Sequence, residues 1–538
     1  MFKKSLFLIA AIVCFLGNSC SHRANVPLPE VHLAIDSLQR DSLYSSRENK
    51  IYTQAVIFSS ERDTLYDHLA EIHTRGNGTY FWSGGKYSFS LELEYGATLF
   101  NLPRTKDLVL ISNSHDESYI RTVIAFELAH RIGIPAPEFT YVKLYFNEEY
   151  MGLYLMTNQI KVGRQNIDIA DLNHTNKVLN RPPLSDYPQY IQKKPNETGY
   201  RKGWFLTNEP MDISGGYLLE YRRVSWVFER SKSGFVSDGG SSICVRAPKY
   251  ASRNEINYIA DYYNQMESAL MSYDGINTKN GKHYSEYLDI PSFAKYYILH
   301  ELLLNIDAGS HSTYMYKDSG DEAKFYAGPI WDFDSALKSA TTGRFFDSTQ
   351  EIFAAAPIGE QEELYNKGLF YYLCQHEDFM VEVQRTYREE IYPEVTVLLS
   401  GAFKDSLRNL LFEEAEQDRL RNPGITICDS YKDAFEIPFS FLSERSRFLY
   451  WLWCEANEDE IIDISIVGLN DLLKRHYERD VHLYGKVSEG VLLPMVNQPS
   501  LSKDSTSMLG WFSLDDDCFI PEDTKLHKSQ TVTLRIVK

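Results

Sequence analysis

The sequence predicts an α+β protein with a β-rich N-terminal lobe, a helical C-terminal lobe and a small β-rich appendage. From Ile51 to Leu155 the pattern is mostly that of strands, and hydrophobic residues alternate at period two in Ile51 to Ser59 and in Ser88 to Glu94. From Glu255 to Trp453 they recur at spacings of three and four, which is typical of helices. Beyond Glu455 alternation returns, at Ile461 to Val467 and at Thr531 to Val537. The pattern therefore changes twice along the chain.

The first 50 residues read as an export signal followed by a tether. A basic start precedes the apolar run Ser5 to Gly17, which is shorter than the about 20 residues of a spanning helix. Residues 1–19 are therefore predicted to be a signal peptide. Cys20 ends a loose bacterial lipobox, so it is either the lipidated N-terminus of an exported cell-envelope lipoprotein or an ordinary residue beside a cleavage site. Residues 20–50 predict a tether with one short strand.

The β-rich lobe is predicted to contain one helix among its strands. Ser118 is the expected N-cap of a helix from Tyr119 to Ile132, which Gly133 ends. The expected strands are Ile51 to Ser59, Ser88 to Glu94, Leu108 to Ile111, Thr140 to Phe146 and Tyr150 to Leu155. A β-rich lobe with one helix follows from this order.

The rest of the chain predicts an insertion, two strands and a run of helices. Asp171 to Asn208 is rich in Asn, Pro, Lys and Tyr, so an irregular insertion is expected. Gly215 to Tyr221 and a segment closing at Val245 to Lys249 read as strands. The expected helices are residues 255–272, 291–304, 363–375, 377–399, 404–420 and 430–455.

Composition excludes some classes of function. The formal net charge of −19 argues against nucleic-acid binding, which needs a basic surface. From Cys244 onwards the chain has five cysteines, an odd number, and no Cys-x-x-Cys, so thiols rather than a disulfide framework are expected. Aromatic residues make up 14% of the chain, with 37 Tyr, which suits either a carbohydrate-contacting surface or Tyr-rich strands.

Two carboxylates separated by one aromatic residue, Asp332 and Asp334, follow an apolar run that ends at Ile330. Upstream, Asp307 follows an apolar helical run. A hairpin between them would bring Asp307 and Asp332 to the same end of a sheet. Such carboxylates suit Mg²⁺, which prefers oxygen ligands. Equally, Asp332 and Asp334 could be turn residues.

Four blocks of sequence resemble the CotH kinases, a family named after a bacterial spore-coat protein. They occur in the family's order and span about Leu28 to Trp453, so residues 51–455 are expected to form the kinase-like domain and 456–538 the appendage. The blocks are Ile72 to Thr79 with Lys86 to Phe89; Leu108 to Asn113 with Ser118 to Arg121 and Leu144 to Tyr154; Gly215 to Glu220; and Glu301 to Asp334.

The resemblance implies an atypical protein-kinase fold that binds ATP and Mg²⁺ and phosphorylates Ser. Asp307 would then be the catalytic aspartate and Asp332 the metal aspartate. Asp334 would brace that loop or share the metal. An ordinary kinase has an Asn five residues after its catalytic Asp, and this chain has Ser312, a weaker ligand for a second metal.

Three further residues are candidates for nucleotide binding. Lys86 and Arg246 would contact phosphates, and Glu127 lies where a lysine-pairing glutamate would be expected. Each also reads as an ordinary surface charge. No Gly-x-Gly-x-x-Gly loop precedes Lys86.

Two functions follow. One is a CotH-like kinase acting on a protein or glycan that the sequence does not identify. The other is an exported lipoprotein that keeps the fold and binds glycan or protein without catalysis. Export from the ATP-rich cytoplasm and Ser312 favour the second, whereas the presence of both Asp307 and Asp332 favours the first.

Overall fold

The computed structural model describes residues 27–76, 84–164, 166–181, 183–194, 197–222, 224–320, 322–338, 354, 368–422, 428–455, 461–466, 483–488, 491–492, 508–520, 525–526 and 530–537. The chain divides into two compact units. The first contains Met1–Ile160, Asp332–Thr341 and Pro393–Phe441, and the second contains Lys161–Trp331, Thr342–Tyr392 and Leu442–Lys538. The predicted signal peptide and Cys20 lie outside the described residues, so both stay predictions.

Strands of the first unit form a closed barrel. Strand β2 alternates buried and exposed residues, as its period-two pattern predicts. The pairing order is β1-β2-β3-β4-β5-β7-β6, and a parallel pairing of β1 with β6 closes the ring. The strands are β1 (Glu30–Leu33), β2 (Ile51–Phe58), β3 (Thr64–Arg75), β4 (Ser88–Ala97), β5 (Thr105–Ile111), β6 (Phe139–Phe146) and β7 (Glu149–Asn158). Their inward side chains, among them Ile57, Ile72 and Leu91, form the barrel core.

Helices dominate the C-terminal half of the protein, as predicted. The α-helices of the described residues are α1 (Ser37–Ser45), α2 (Arg121–Ile132), α3 (Leu172–Leu179), α4 (Val224–Glu229), α5 (Arg253–Leu270), α6 (Ile290–Leu302), α7 (Leu369–Leu373), α8 (Glu377–Thr386), α9 (Tyr392–Leu399), α10 (Gly401–Arg421) and α11 (Tyr431–Tyr450). Helices α1, α2 and α10 belong to the first unit. The protein is therefore a mixed α+β fold.

Helix α2 begins later than its predicted cap. Ser118 was expected at the N-cap, but the helix begins at Arg121, and the preceding Ile120 makes no side-chain cap. The Ser118 hydroxyl donates instead to Asp116 (2.5 Å) and accepts from the Arg121 guanidinium (3.0 Å). The predicted end is confirmed, because Gly133 takes a left-handed φ of 77°.

The second unit contains an antiparallel sheet in the order β14-β13-β10-β12-β11-β9-β8. Its strands are β8 (Gln189–Gln192), β9 (Arg201–Trp204), β10 (Tyr217–Tyr221), β11 (Ser233–Val236), β12 (Ser242–Ala247), β13 (Thr313–Lys317) and β14 (Phe325–Ala327). The prediction that Asp171 to Asn208 is irregular was wrong, because this segment contains α3, β8 and β9. The Asp171 carboxylate caps α3 by accepting from His174 N–H (2.9 Å), and β8 extends the sheet through β9.

The predicted hairpin before Asp332 is confirmed. Strands β13 and β14 pair antiparallel, with Met315 opposite Ala327, although β14 is shorter than expected. The chain then passes through Gly328, whose N–H donates to the Tyr314 carbonyl (2.9 Å). The segment before β13 and the segment after β14 therefore lie at the same end of the hairpin.

The C-terminal region is rich in strands. The pairing order of its larger sheet is β16-β15-β21-β18-β19. The strands are β15 (Ile461–Ile466), β16 (Leu483–Ser488), β17 (Val491–Leu492), β18 (Met508–Ser513), β19 (Cys518–Phe519), β20 (Lys525–Leu526) and β21 (Gln530–Val537). The five cysteines from Cys244 onwards are free thiols. Among the described helices, none combines the length and the apolar character that crossing a membrane requires.

A buried glutamate caps helix α5. Glu255 and Ser252 form a capping box, and the Asn176 amide donates to both Glu255 oxygens (3.1 and 2.9 Å). Burial raises the pKa of Glu255 to about 7, although the bonds from Ser252 and Asn176 oppose this shift. Because the folded pKa lies above the unfolded one, Glu255 favours folding at low pH, and this contribution is lost as the pH rises from about 4.5 to about 7.

We expect Glu255→Gln to gain stability relative to the wild type as the pH rises. The neutral amide mimics the protonated acid and does not ionise on unfolding. The measurement is the midpoint of thermal unfolding between pH 4.5 and 8. Glu286→Gln is the matched control, because Glu286 is the exposed carboxylate of another capping box. A difference between Glu255→Gln and wild type that stays constant with pH would contradict the assignment.

Candidate functional site

Lys86 of the first unit lies in a buried polar network. Its ammonium group donates to the Leu153 carbonyl (2.7 Å) and to the Asp418 carboxylate, and its side chain is 1% exposed. The same Asp418 oxygen accepts from the Tyr119 hydroxyl (2.6 Å). The rings of Tyr119 and Tyr154 lie 5.3 and 4.9 Å from the ammonium nitrogen. Burial lowers the pKa of Lys86, and the attraction of Asp418 opposes that shift.

The acid that pairs with Lys86 is therefore Asp418, not Glu127. Glu127 accepts from Arg131 one turn later (2.8 Å), an ordinary pair on the surface of α2. Asp418 comes from α10, 332 residues after Lys86. Gly152 permits its approach, since a Cβ there would lie 2.3 Å from a carboxylate oxygen of Asp418. The sequence expectation that Glu127 pairs with this lysine was wrong.

The segment that begins at Asp332 is strained and is held from the side of α2. Asp332 and Lys338 have φ values of 68° and 58°, which side chains other than Gly adopt at a cost of about 1–3 kcal/mol. The Arg121 guanidinium donates to the Lys338 carbonyl (3.1 Å), and His115 Nδ1 lies 3.9 Å from an Asp334 oxygen. The two predicted metal carboxylates of the first unit thus lie on a segment that other residues of that unit hold in place.

Asp307 lies in the second unit, before β13. Its N–H donates to the Asn305 side chain (3.2 Å), and its carboxylate is 32% exposed with His311 Nδ1 4.0 Å away. Ser312 is buried, has a φ of 48°, and its hydroxyl accepts from Arg222 at 3.5 Å. Asp307 therefore presents an accessible carboxylate, whereas Ser312 faces an arginine.

A buried carboxylate clamps two arginines of the second unit. Glu220 accepts from Arg222 Nε (2.7 Å) and from the Tyr314 hydroxyl (2.9 Å) on one oxygen, and from Arg246 Nε on the other. Burial opposes the ionisation of Glu220, but Arg222 and Arg246 outweigh it and lower the pKa of this carboxyl. Arg246 remains 39% exposed, and its terminal amino groups form no hydrogen bond with any described residue.

A family model described as CotH kinase protein matches residues 72–449, most of the chain. The chain belongs to the CotH kinase family. The resemblance inferred from sequence is thereby confirmed. No curated protein matches the chain. The matched region includes all the charged groups above, whereas strands β15–β21 lie beyond it.

Membership of the CotH family suggests use of a nucleotide and a metal. Among the residues that the structure describes, no group of three or more His, Cys, Asp or Glu is arranged to hold a metal ion. Mg²⁺ does not require one, because it is usually held by one or two carboxylates together with phosphate oxygens and water. The carboxylates of Asp332 and Asp334 would offer only oxygen ligands, which is the type of ligand that Mg²⁺ prefers.

Sequence reasoning missed Asp418 and the role of Glu220. Asp418 carries no local signal, because its significance depends on where α10 packs. Glu220 lies in a quoted family block, but its partners come from the register of β10, which places it opposite Tyr314 on β13 and Cys244 on β12. In the sequence, the feature that could have indicated this role is the position of Glu220, a charged residue near the end of an apolar strand.

Proposed function

We propose that the protein is a Mg²⁺-dependent kinase that transfers the γ-phosphoryl group of ATP to a Ser hydroxyl of a protein. The observation that carries this proposal is the presence of both Asp307 and Asp332 in the region matched by the CotH family. Phosphoryl transfer needs one group to orient the acceptor and another to hold a metal. A module that only binds glycan or protein has no need of both carboxylates.

Each of these residues would have a different role in phosphoryl transfer. Bound Mg²⁺ would neutralise the charge of the phosphates. Asp332, with Asp334, would supply carboxylate oxygens to the metal. Asp307 would accept a hydrogen bond from the Ser hydroxyl and take its proton as the Ser oxygen bonds to the γ-phosphorus and the bond from that phosphorus to the departing ADP breaks. Ser312 is a poorer candidate for a second metal, because its neutral hydroxyl faces Arg222.

Of the two cations predicted to contact phosphates, Arg246 has the stronger support. Glu220 holds its Nε, and the exposed terminal amino groups are left to donate to an anion in the paired geometry that phosphate accepts. The ammonium group of Lys86 is buried and donates to Asp418 and Leu153. Lys86 is better suited to fixing the barrel beside α10 than to meeting a ligand.

We expect Mg²⁺-ATP to raise the unfolding temperature of the wild type and to have little effect on Asp332→Asn. A ligand at 100 times its dissociation constant stabilises a protein by about 2.7 kcal/mol. The Asp332→Asn variant keeps the size of the side chain and removes the charge that attracts Mg²⁺. The measurement is the thermal shift with ATP in the presence of Mg²⁺ or of a chelator.

Asp405→Asn provides the control for that experiment. Asp405 lies on α10 of the first unit, its side chain is 61% exposed, and its one ion-pair partner among the described residues is the nearby Arg408. This variant should respond to Mg²⁺-ATP as the wild type does. A wild type that shows no shift, or an equal shift in Asp332→Asn, would count against the kinase proposal.

A further inference from the structure

A groove lies on the outside of the barrel, between the start of β3 and the end of β4. Its volume is about 450 Å³, within the range of about 300–1,000 Å³ typical of ligand pockets. The residues that line it come from Thr64 to His68, Tyr95 to Thr98 and Arg104. None of them belongs to the proposed kinase machinery. Any function of the groove would therefore be separate from the proposed kinase activity.

Aromatic rings form a right-angled corner in the groove. The Tyr95 and His68 rings are 5.2 Å apart at 77°, and the His68 and Tyr66 rings are 5.5 Å apart at 72°. Tyr95 is 55% exposed, which is high for a large aromatic residue. The face of an aromatic ring is negative, so it attracts the slightly positive C–H groups of a sugar ring. The corner therefore offers a stacking surface.

Some polar groups of the groove are fixed and others are unused. The Tyr66 hydroxyl donates to the Leu69 carbonyl and accepts from Glu94 N–H, and Asp67 accepts from Gln54 (2.6 Å). Three other side chains of the groove are different. Those of His68, Tyr95 and Arg104 form no hydrogen bond or ion pair with any of the described residues. The groove therefore combines polar side chains that are held by hydrogen bonds with hydrogen-bond donors that remain available to a ligand.

Arg104 is placed in the groove by the backbone of β4. A Cβ at Gly96 would lie 3.6 Å from Arg104 Nε, an ordinary contact distance, so the guanidinium packs over the backbone of β4 at Gly96. The pairing of β4 with β5 shifts register between Glu92 and Ala97, which produces this irregular edge. A planar guanidinium without a partner suits a carboxylate, which it binds with two parallel hydrogen bonds.

We propose that this groove binds a sugar that carries a carboxylate, such as a hexuronic acid unit of an oligosaccharide. The perpendicular rings would stack against the sugar, and Arg104 would receive its carboxylate. A cationic ligand is disfavoured by Arg104, and an apolar peptide is disfavoured by the number of polar groups in the lining. The proposal does not depend on kinase activity, since it concerns the outer face of the barrel.

The test compares an acidic ligand with a matched neutral one. Trigalacturonic acid and a galactose trisaccharide are titrated calorimetrically into the full chain and three variants. Arg104→Gln should weaken binding of the acid about tenfold or more, because a charge-assisted pair is lost, and should leave the neutral sugar unaffected. Tyr95→Ala should weaken both about three- to tenfold. Tyr52→Ala, an equally conspicuous exposed Tyr on β2 (71%) outside the groove, should change neither.

The outcomes are separable from unfolding because all three substituted side chains are exposed and their thermal midpoints serve as a check. Absence of binding by both trisaccharides at millimolar concentration would overturn the proposal. So would binding that Tyr95→Ala and Arg104→Gln leave unchanged. Binding of an acidic peptide with the same dependence on Arg104, but none on Tyr95, would identify the groove as a peptide site and would also overturn it.

Discussion

Asp418→Ala is expected to destabilise the first unit by about 3–5 kcal/mol, the usual cost of removing one partner from a buried ion pair. The change leaves the Lys86 ammonium without its acid in a site where the lysine side chain is 1% exposed. It also removes the acceptor of the Tyr119 hydroxyl and of the Asn422 amide (2.8 Å). The measurement is the free energy of unfolding from denaturant titration.

Two further variants separate this ion pair from the general effect of changing helix α10. Asp405→Ala alters an exposed aspartate of the same helix and should cost much less. The double variant Lys86→Met with Asp418→Asn should be more stable than Asp418→Ala alone, because no unpaired charge remains buried. If Asp418→Ala and Asp405→Ala were equally stable, the network around Lys86 would contribute little to folding.

The elements with strong periodicity could be predicted from the sequence. The alternation of β2 and the helical spacing of α5 reflect one buried face each, so local sequence carries the information. Strands β8 and β9 were missed because they are short and polar, and they exist through pairing with the sheet rather than through their own pattern. The start of α2 was misplaced because the Ser118 hydroxyl bonds Asp116 and Arg121 rather than the helix.

The residues of the candidate site were likewise only partly predictable from the sequence. Asp307 and Asp332 could be recognised because their neighbours in sequence carry the family motif. The partners of Lys86 and Arg246 could not, because Asp418 and Glu220 reach them through packing and strand register. A charged residue is therefore easier to find from sequence than the residue that neutralises it. Lys86 shows the consequence, since its buried pairing favours a structural role over the phosphate contact inferred from the motif.

Asp307→Asn is expected to lower phosphoryl transfer about 10²–10⁴-fold, the usual effect of losing one positioned acid–base group. The amide cannot accept the proton of the Ser hydroxyl, although its size is unchanged. Nucleotide binding should persist, because in the proposed mechanism Asp307 acts on the acceptor and not on the metal. The measurements are γ-phosphate transfer to a Ser-rich acceptor and the thermal shift with Mg²⁺-ATP.

Asp261→Asn is the control for this last variant, since Asp261 is a 59% exposed aspartate of the same unit that pairs with Arg201. It should keep both transfer and the thermal shift. Asp307→Asn should keep only the shift, and Asp332→Asn should lose both. That pattern is specific to two carboxylates with different roles. Transfer that survives in Asp307→Asn would remove this residue from the mechanism. A wild type that neither binds Mg²⁺-ATP nor transfers phosphate would favour a CotH-family protein that binds without catalysing.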